Sequence, residues 1–276
     1  MHWASGFAAR MGPLLLLAGW AVAATNTAPK TFEEQEQFLL TAKIVRVRDL
    51  SQGITNSQRA TLTKDGFTHD AHIQTIDEFK PVYETAMGME LNFRDSYRYN
   101  IAAYRLARLL RLGMVPPSVE RKVKGRSAAV TWWVDDVLMT ELQRFQKKID
   151  VPDSTSWNPQ MHIVRVFDQL IYNTDRNLGN LVITNNWKLW MIDHTRAFRL
   201  MNTLRTPSDL VKCDRELLSR LRALDEPTLR NAIPKEYLSD AELRALLARR
   251  DRIVEHFTKL IAEKGEEEVL YNYLAH

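Results

Sequence analysis

Residues 165–198 read RVFDQLIYNTDRNLGNLVITNNWKLWMIDHTRAF. An apolar strip gives way to a polar knot, NTDRNLGN, and two short apolar runs follow, separated by the turn TNNWK. The second run ends on Asp193. This pattern predicts a helix, a tight loop and two strands. If the strands pair through the turn, Asn180 comes to lie near Asp193 on one edge, and Asp175 projects from the loop beside them. Two carboxylates and an amide oxygen then converge on one point. Hard oxygen ligands of this kind suit Mg²⁺, which needs few protein ligands when phosphates supply the rest. With Asn180 and Asp193 on the metal, Asp175 is left to accept a proton from an attacking hydroxyl, which is the layout of a phosphoryl-transfer site. The same residues also admit a plainer reading. Asx side chains favour turns and strand ends, and Asp193 can cap the segment that follows it.

YNTDRNLGNLVI followed by WMIDHTRAF resembles the catalytic and metal-binding loops of atypical kinases. The similarity is to the phosphatidylinositol kinases, the HipA-like kinases, the secretory-pathway kinases that phosphorylate secreted proteins, and bacterial proteins of the same layout. Those families carry an Asp-Arg loop, an Asn or acid a few residues on, and an Ile-Asp pair after the next strand. The interval of five residues from Asp175 to Asn180 is also that of protein kinases. The resemblance implies an α+β, two-lobed kinase-like fold, with a small β-rich N-lobe holding one long helix and a larger helical C-lobe. It implies ATP and Mg²⁺ as cofactors, with a nucleotide and a phosphate acceptor as partners. By the same resemblance Asp175 is the catalytic base, Asn180 holds a second metal, Asp193 is the principal metal-binding aspartate, and Arg176 and Asn177 order the loop. Protein, lipid, sugar and small-molecule acceptors all use this geometry.

The rest of the chain fits around that stretch. It has 276 residues, 45% hydrophobic and 26% charged, with a formal net charge of +4, an ordinary globular balance. The single Cys213 excludes an internal disulfide framework and a cysteine-rich zinc site. The seven histidines form no HExxH or HxxxH pair. No basic block is interleaved with aromatics, so no nucleic-acid groove is expected. MGPLLLLAGWAVAA, residues 11–24, is an apolar run of signal-peptide length with small residues at a cleavage position. It predicts a signal peptide over 1–24 and an extracytoplasmic location. An uncleaved anchor, which would be the chain's one tie to a membrane, and a misassigned start are the alternatives. A linker and short helix are expected over 25–40, the N-lobe over 41–140, and the C-lobe over 141–276.

Within the N-lobe, two alternating runs around KDG (residues 64–66) predict a hairpin. SYRYNIAAYRLARLLRLG predicts the long helix, with Ser96 as N-cap and Gly113 as its left-handed end. SVERKVKG and SAAVTWWVDD predict a second hairpin turning at Gly125. A kinase N-lobe holds a Gly-rich loop, a strand Lys on the phosphates and a helix Glu paired to it. Here the loop contains only Gly53, with Thr55, Asn56 and Ser57 as phosphate-binding candidates; a polar hairpin turn is the alternative. Gln74 stands at the Lys position and Asn100 at the Glu position, a pair that would keep hydrogen-bonding geometry and remove both charges. Arg59, Lys64 and Lys80 are candidate substitute cations. Asp193-His194-Thr195 replaces Asp-Phe-Gly, and His194 beside the site would tune it or simply pack. Trp132, Trp133, Asp135 and Asp136 fall at the interlobe hinge, with one Trp expected in the core and one available to line an adenine pocket. Arg196 and Arg199 would hold a phosphate or acidic substrate, or pair with neighbouring carboxylates. Loss of the strand Lys, together with export, opens a second reading: an exported pseudokinase that binds a nucleotide or a partner without transfer. A purely structural exported protein is a third.

Overall fold

The computed structural model of the chain describes residue 1 and residues 28–50, 57–85 and 88–274. The apolar N-terminal run, Thr55 and Asn56 lie outside the described residues. Among the described residues, no helix is long and apolar enough to cross a membrane.

The small lobe is built on a five-stranded sheet of order β1-β2-β3-β7-β6. Its strands are β1 (Lys43–Asp49), β2 (Gln58–Lys64), β3 (Phe67–Gln74), β6 (Ser118–Val123) and β7 (Arg126–Trp132). Between β3 and β6 run a separate hairpin, β4 (Asp77–Thr85) and β5 (Gly88–Ser96), and the helix α2 (Arg98–Leu109). Both expected tight turns form with two successive left-handed residues, Asp65 (φ 50°) and Gly66 (φ 82°), then Lys124 (φ 49°) and Gly125 (φ 81°). That backbone matches the right-handed twist of the strands it joins.

Strand alternation sorts the side chains onto two faces. Ala60, Leu62, Ala71, Ile73, Val130 and Trp132 are buried and pack with Phe38 and Leu39 of the helix α1 (Phe32–Thr41). Arg59, Asp70, His72, Gln74, Ala129 and Thr131 take the opposite face, with Arg59 opposite His72, and His72 opposite Thr131. That face looks onto α2, which contacts β6 and β7.

The large lobe is mainly helical. Strand β8 (Val137–Thr140) leads to α3 (Glu141–Gln146) and α4 (Ser154–Ile171); the hairpin β9 (Leu181–Thr184) and β10 (Leu189–Met191) follows. Then come α5 (Arg215–Ala223), α6 (Glu226–Ala232) and the long α7 (Asp240–Lys264). Their apolar faces form one core with α2, including Ile101, Leu106, Phe167, Leu170, Leu246 and Phe257. Cys213 is part of it.

Ser96 caps α2 as expected: its Oγ accepts from Arg98 N at 3.3 Å and donates to Asp77 Oδ1 at 2.8 Å, so it ties the helix start to the hairpin. Helix α4 starts before the Asn158-Pro159 pair, because Asp153 Oδ1 accepts from Thr155 N at 2.9 Å and caps it there. The capping box of Ser239 and Glu242 starts α7 as its sequence suggests.

Candidate active site

The polar knot is built from side chains that satisfy the backbone of a sharp loop. Helix α4 closes with Tyr172 left-handed (φ 49°). Asn173 Oδ1 accepts from Asp175 N at 3.0 Å, and Asn177 Oδ1 accepts from Gly179 N at 2.9 Å. These Asx turns replace the bonds the helix would have made. Arg176 then fastens the loop in place. Its guanidinium forms a bidentate pair with Asp168 of α4, Nε to Oδ2 at 2.9 Å and Nη2 to Oδ1 at 3.2 Å. Its Nη1 donates to Asn180 O at 3.0 Å and Ile192 O at 2.8 Å. One rigid fork thus joins the helix to the ends of both following strands.

Strands β9 and β10 pair antiparallel with Leu181 opposite Met191, and Ile192 N extends the ladder to Asn180 O at 3.0 Å. The register brings Asn180 and Asp193 together at one end of the hairpin, as the sequence pattern requires. The Asn180 amide nitrogen donates to Asp175 O at 3.3 Å, so the atom it has to offer a cation is its amide oxygen. Asp193 is left-handed (φ 53°), a conformation Asp tolerates at some cost and one that redirects the chain as it leaves the strand. Its Oδ1 accepts from Thr195 Oγ1 at 3.0 Å and Thr195 N at 3.3 Å.

Asp175 stands beside this pair, its side chain 44% exposed. Burial raises its pKa; Arg196 opposes that, and the charges of Asp193 and Asp95 add to it. Arg196 Nη1 lies 4.0 Å from Asp175 Oδ2, and Arg196 Nε binds the buried Asp95 at 2.9 Å. Three carboxylates, Asp95, Asp175 and Asp193, therefore share a small region with one arginine, while Arg176 is committed to Asp168. Among the described residues, no three His, Cys, Asp or Glu side chains gather into a self-contained metal cluster. A carboxylate and an amide oxygen beside surplus negative charge fit a hard divalent cation whose remaining ligands are phosphate oxygens or water.

The small-lobe candidates are placed as follows. Gln74 is fully buried; its Nε2 donates to Ser57 Oγ at 3.2 Å, at the base of the β1–β2 connection, and its Oε1 accepts from Thr75 N at 3.2 Å. Asn100 Oδ1 accepts from His194 N at 2.7 Å, so α2 grips the backbone just after Asp193. His194 is buried edge-on to Phe167, and burial holds its pKa well below the usual histidine value. Lys64 donates to Thr41 Oγ1, and Lys80 lies over the Tyr83 and Phe93 rings of the β4–β5 hairpin. Arg59 is on the sheet face shared with Gln74, paired with Asp70 and stacked on Trp133 at 4.2 Å. Trp132 is in the core, stacked on His69 at 3.7 Å.

Sequence reasoning passed over three residues of this site. Asp168 is a helix residue whose partner emerges only once the loop folds back on α4. Asp95 lies in a segment with no recognised pattern. His72 was legible, since it is two residues before Gln74 and must share its face. Burial lowers its pKa while the Asp193 charge raises it, which places His72 within electrostatic reach of the candidate metal ligand.

No family model matches the chain, and no curated protein matches it by sequence. Solved structures do. A hydra Fam20 structure with sugar superposes with a TM-score of 0.64 at 15% identity, covering 87% of this chain and 92% of that one. The Golgi casein kinase with Mn/ADP bound gives 0.60 at 16% identity, over 89% of this chain and 80% of that one. The Helicobacter pylori proinflammatory kinase CtkA gives 0.51 at 12% identity, over 81% of this chain and 98% of that one. The chain has an atypical kinase-like fold, two-lobed and α+β, with a β-rich small lobe and a helical large lobe.

Proposed function

We propose that this protein is an ATP- and Mg²⁺-dependent phosphotransferase that acts on a hydroxyl acceptor. The observation that carries the reading is the convergence of Asp175, Asn180 and Asp193 at the end of the β9–β10 ladder, fastened there by Arg176. Asp193 and the Asn180 amide oxygen would hold the cation. A bound divalent cation supplies positive charge against the phosphates and the carboxylate cluster. Asp175 accepts the hydroxyl proton as the acceptor oxygen bonds to the terminal phosphorus. The bond from that phosphorus to the bridging oxygen breaks, and ADP leaves. The half-buried setting of Asp175 raises its proton affinity, which suits a base that must hold the proton through the step.

A kinase-like neighbour with Mn/ADP bound supports a nucleotide and a divalent metal as ligands of such a fold. The apolar run over residues 11–24 supports export. The position of Gln74 favours a second reading, an exported pseudokinase. Its buried amide, bonded at the base of the β1–β2 connection, replaces the cation that would neutralise phosphates.

Labelled ATP with Mg²⁺ or Mn²⁺, incubated with the mature protein alone and with protein, lipid and sugar acceptors, separates the two. Transfer that is lost in Asp193→Ala is the expected outcome. Nucleotide-dependent thermal stabilisation without transfer would establish the pseudokinase, and neither binding nor transfer would overturn both readings.

A further inference from the structure

Arg196 is tied to the candidate base through both its backbone and its side chain. Its carbonyl accepts from Thr174 N at 3.2 Å and from Thr174 Oγ1 at 2.9 Å, so it holds the residue before Asp175. Its Nε is anchored on Asp95, which is 2% exposed, and its guanidinium lies over the Phe93 ring at 5.3 Å. These contacts fix the plane of the fork. They leave Nη1 4.0 Å from Asp175 Oδ2, beyond hydrogen-bond length, on a side chain that is 25% exposed.

The neighbouring arginine shows what a purely structural partner looks like in this loop. Arg199 is buried, with Nη1 donating to Arg94 O at 2.6 Å, Nη2 to Thr174 Oγ1 at 3.4 Å and Nε set against Glu90 at 2.6 Å. Arg199 is spent on these contacts, whereas Arg196 keeps Nη1 beside Asp175 outside hydrogen-bond length.

We propose that Arg196 contacts the terminal phosphoryl group of the nucleotide and orients Asp175 toward the acceptor. An anchored guanidinium pre-organises its remaining N–H donors, and a planar fork suits phosphate oxygens better than an ammonium does. The group transferred to an acceptor at Asp175 is the terminal phosphoryl group, and the exposed edge of Arg196 lies beside that carboxylate. The inference rests on the phosphotransferase reading and adds a specificity for the terminal phosphate.

The test compares two ligands by isothermal titration calorimetry on the full chain. One is ADP with Mn²⁺, the other the β,γ-imido analogue of ATP with Mn²⁺. Arg196→Ala should weaken the analogue by roughly tenfold or more, the size of one charge-assisted contact, while ADP affinity moves less than about twofold. Arg196→Lys should fall between. Removing Arg196 strands the buried Asp95 charge, so Asp95→Asn combined with Arg196→Ala serves if the single variant does not fold. The double variant should show the same selective loss. Equal loss on both ligands, or no loss on either, overturns the inference and leaves the phosphotransferase reading standing. A wild-type chain that binds neither ligand overturns both.

Discussion

Asp175 is pulled two ways, by its burial and by its neighbours. Its pKa is raised above the ordinary 3.8, with burial the leading cause. The fold therefore disfavours its ionised form. The stabilising contribution of such a group is complete below the ordinary value and is lost as pH rises through the raised one. At neutral pH the charge needed in a base is held against the preference of the fold. Asp175→Asn should cut transfer by about 10²–10⁴-fold, the scale of a lost general base. At pH 7 its melting temperature should match or slightly exceed the wild type, and the difference should vanish in acid near the ordinary carboxyl pKa. Thermal melts across that range check the sign; a variant that melts lower at pH 7 would mean the charge is stabilising after all. The positions of Asp175, Asn180 and Asp193 were legible because each sits where an apolar run stops. Arg176 was expected to order the loop, but its partners were not legible, because the two carbonyls it binds meet only after the strands find their register. The place of Gln74 on β3 was legible from alternation, while its attachment to Ser57 depends on how β2 begins.

Elements with plain periodicity were legible, and those held by ring and charge contacts were not. The hairpins at Asp65-Gly66 and Lys124-Gly125, the β9–β10 pair and the capped α7 follow from turn chemistry and alternation. The β4–β5 hairpin follows from neither: Phe79, Val82, Met89 and Leu91 are exposed. Its inner side is a stack of Tyr83 on Phe93 at 4.1 Å, with Arg196 and Arg199 against the Phe93 ring. The arginine contacts join residues about a hundred positions apart and leave no local period. The cap of α7 has a second use of the same kind. Glu242 Oε2 accepts from Ser239 N at 2.8 Å and Ser239 Oγ at 2.6 Å, while its Oε1 takes the Tyr99 hydroxyl of α2. Burial and this carboxylate push the Tyr99 pKa well up, so the phenol stays a donor. Ser239→Ala should cost about 1 kcal/mol as a lost cap. Glu242→Ala should cost more, about 2–4 kcal/mol, because it also strands a buried hydroxyl. Denaturant titrations of both variants check the order, and equal losses would mean that the Tyr99 contact contributes nothing.

At the scale of the whole molecule, the sequence suggested a small lobe in which sheet and long helix belong together. The packing keeps that association, with α2 against β6 and β7, and adds a second one. Ile101, Ala102 and Leu106 of α2, with Leu110 at its end, join the core of the large lobe, while the far face of the sheet keeps its own smaller core with α1. Polar ties reinforce the second attachment. Tyr99 reaches Glu242 on α7, Asn100 holds His194, Arg105 donates to Ala232 O of α6 at 3.1 Å, and Arg220 of α5 donates to Leu110 O at 3.1 Å. Periodicity can show that a helix has an apolar stripe, but it cannot say which lobe receives it. The consequence concerns motion. A helix joined to α5, α6, α7 and the loop after Asp193 should open with them, whereas β1 and β2 have less buried apolar area to lose. Native-state hydrogen exchange should show amides of β1–β3 exchanging through a lower-energy opening than those of α2. ADP with Mn²⁺ should slow exchange in β2 and β3, whose Arg59 and His72 share the sheet face of Gln74, and leave α2 nearly unchanged. If α2 instead exchanged together with β1–β3, or gained the larger protection on binding, the helix would be a moving part of the small lobe and the ties to α5, α6 and α7 would be incidental.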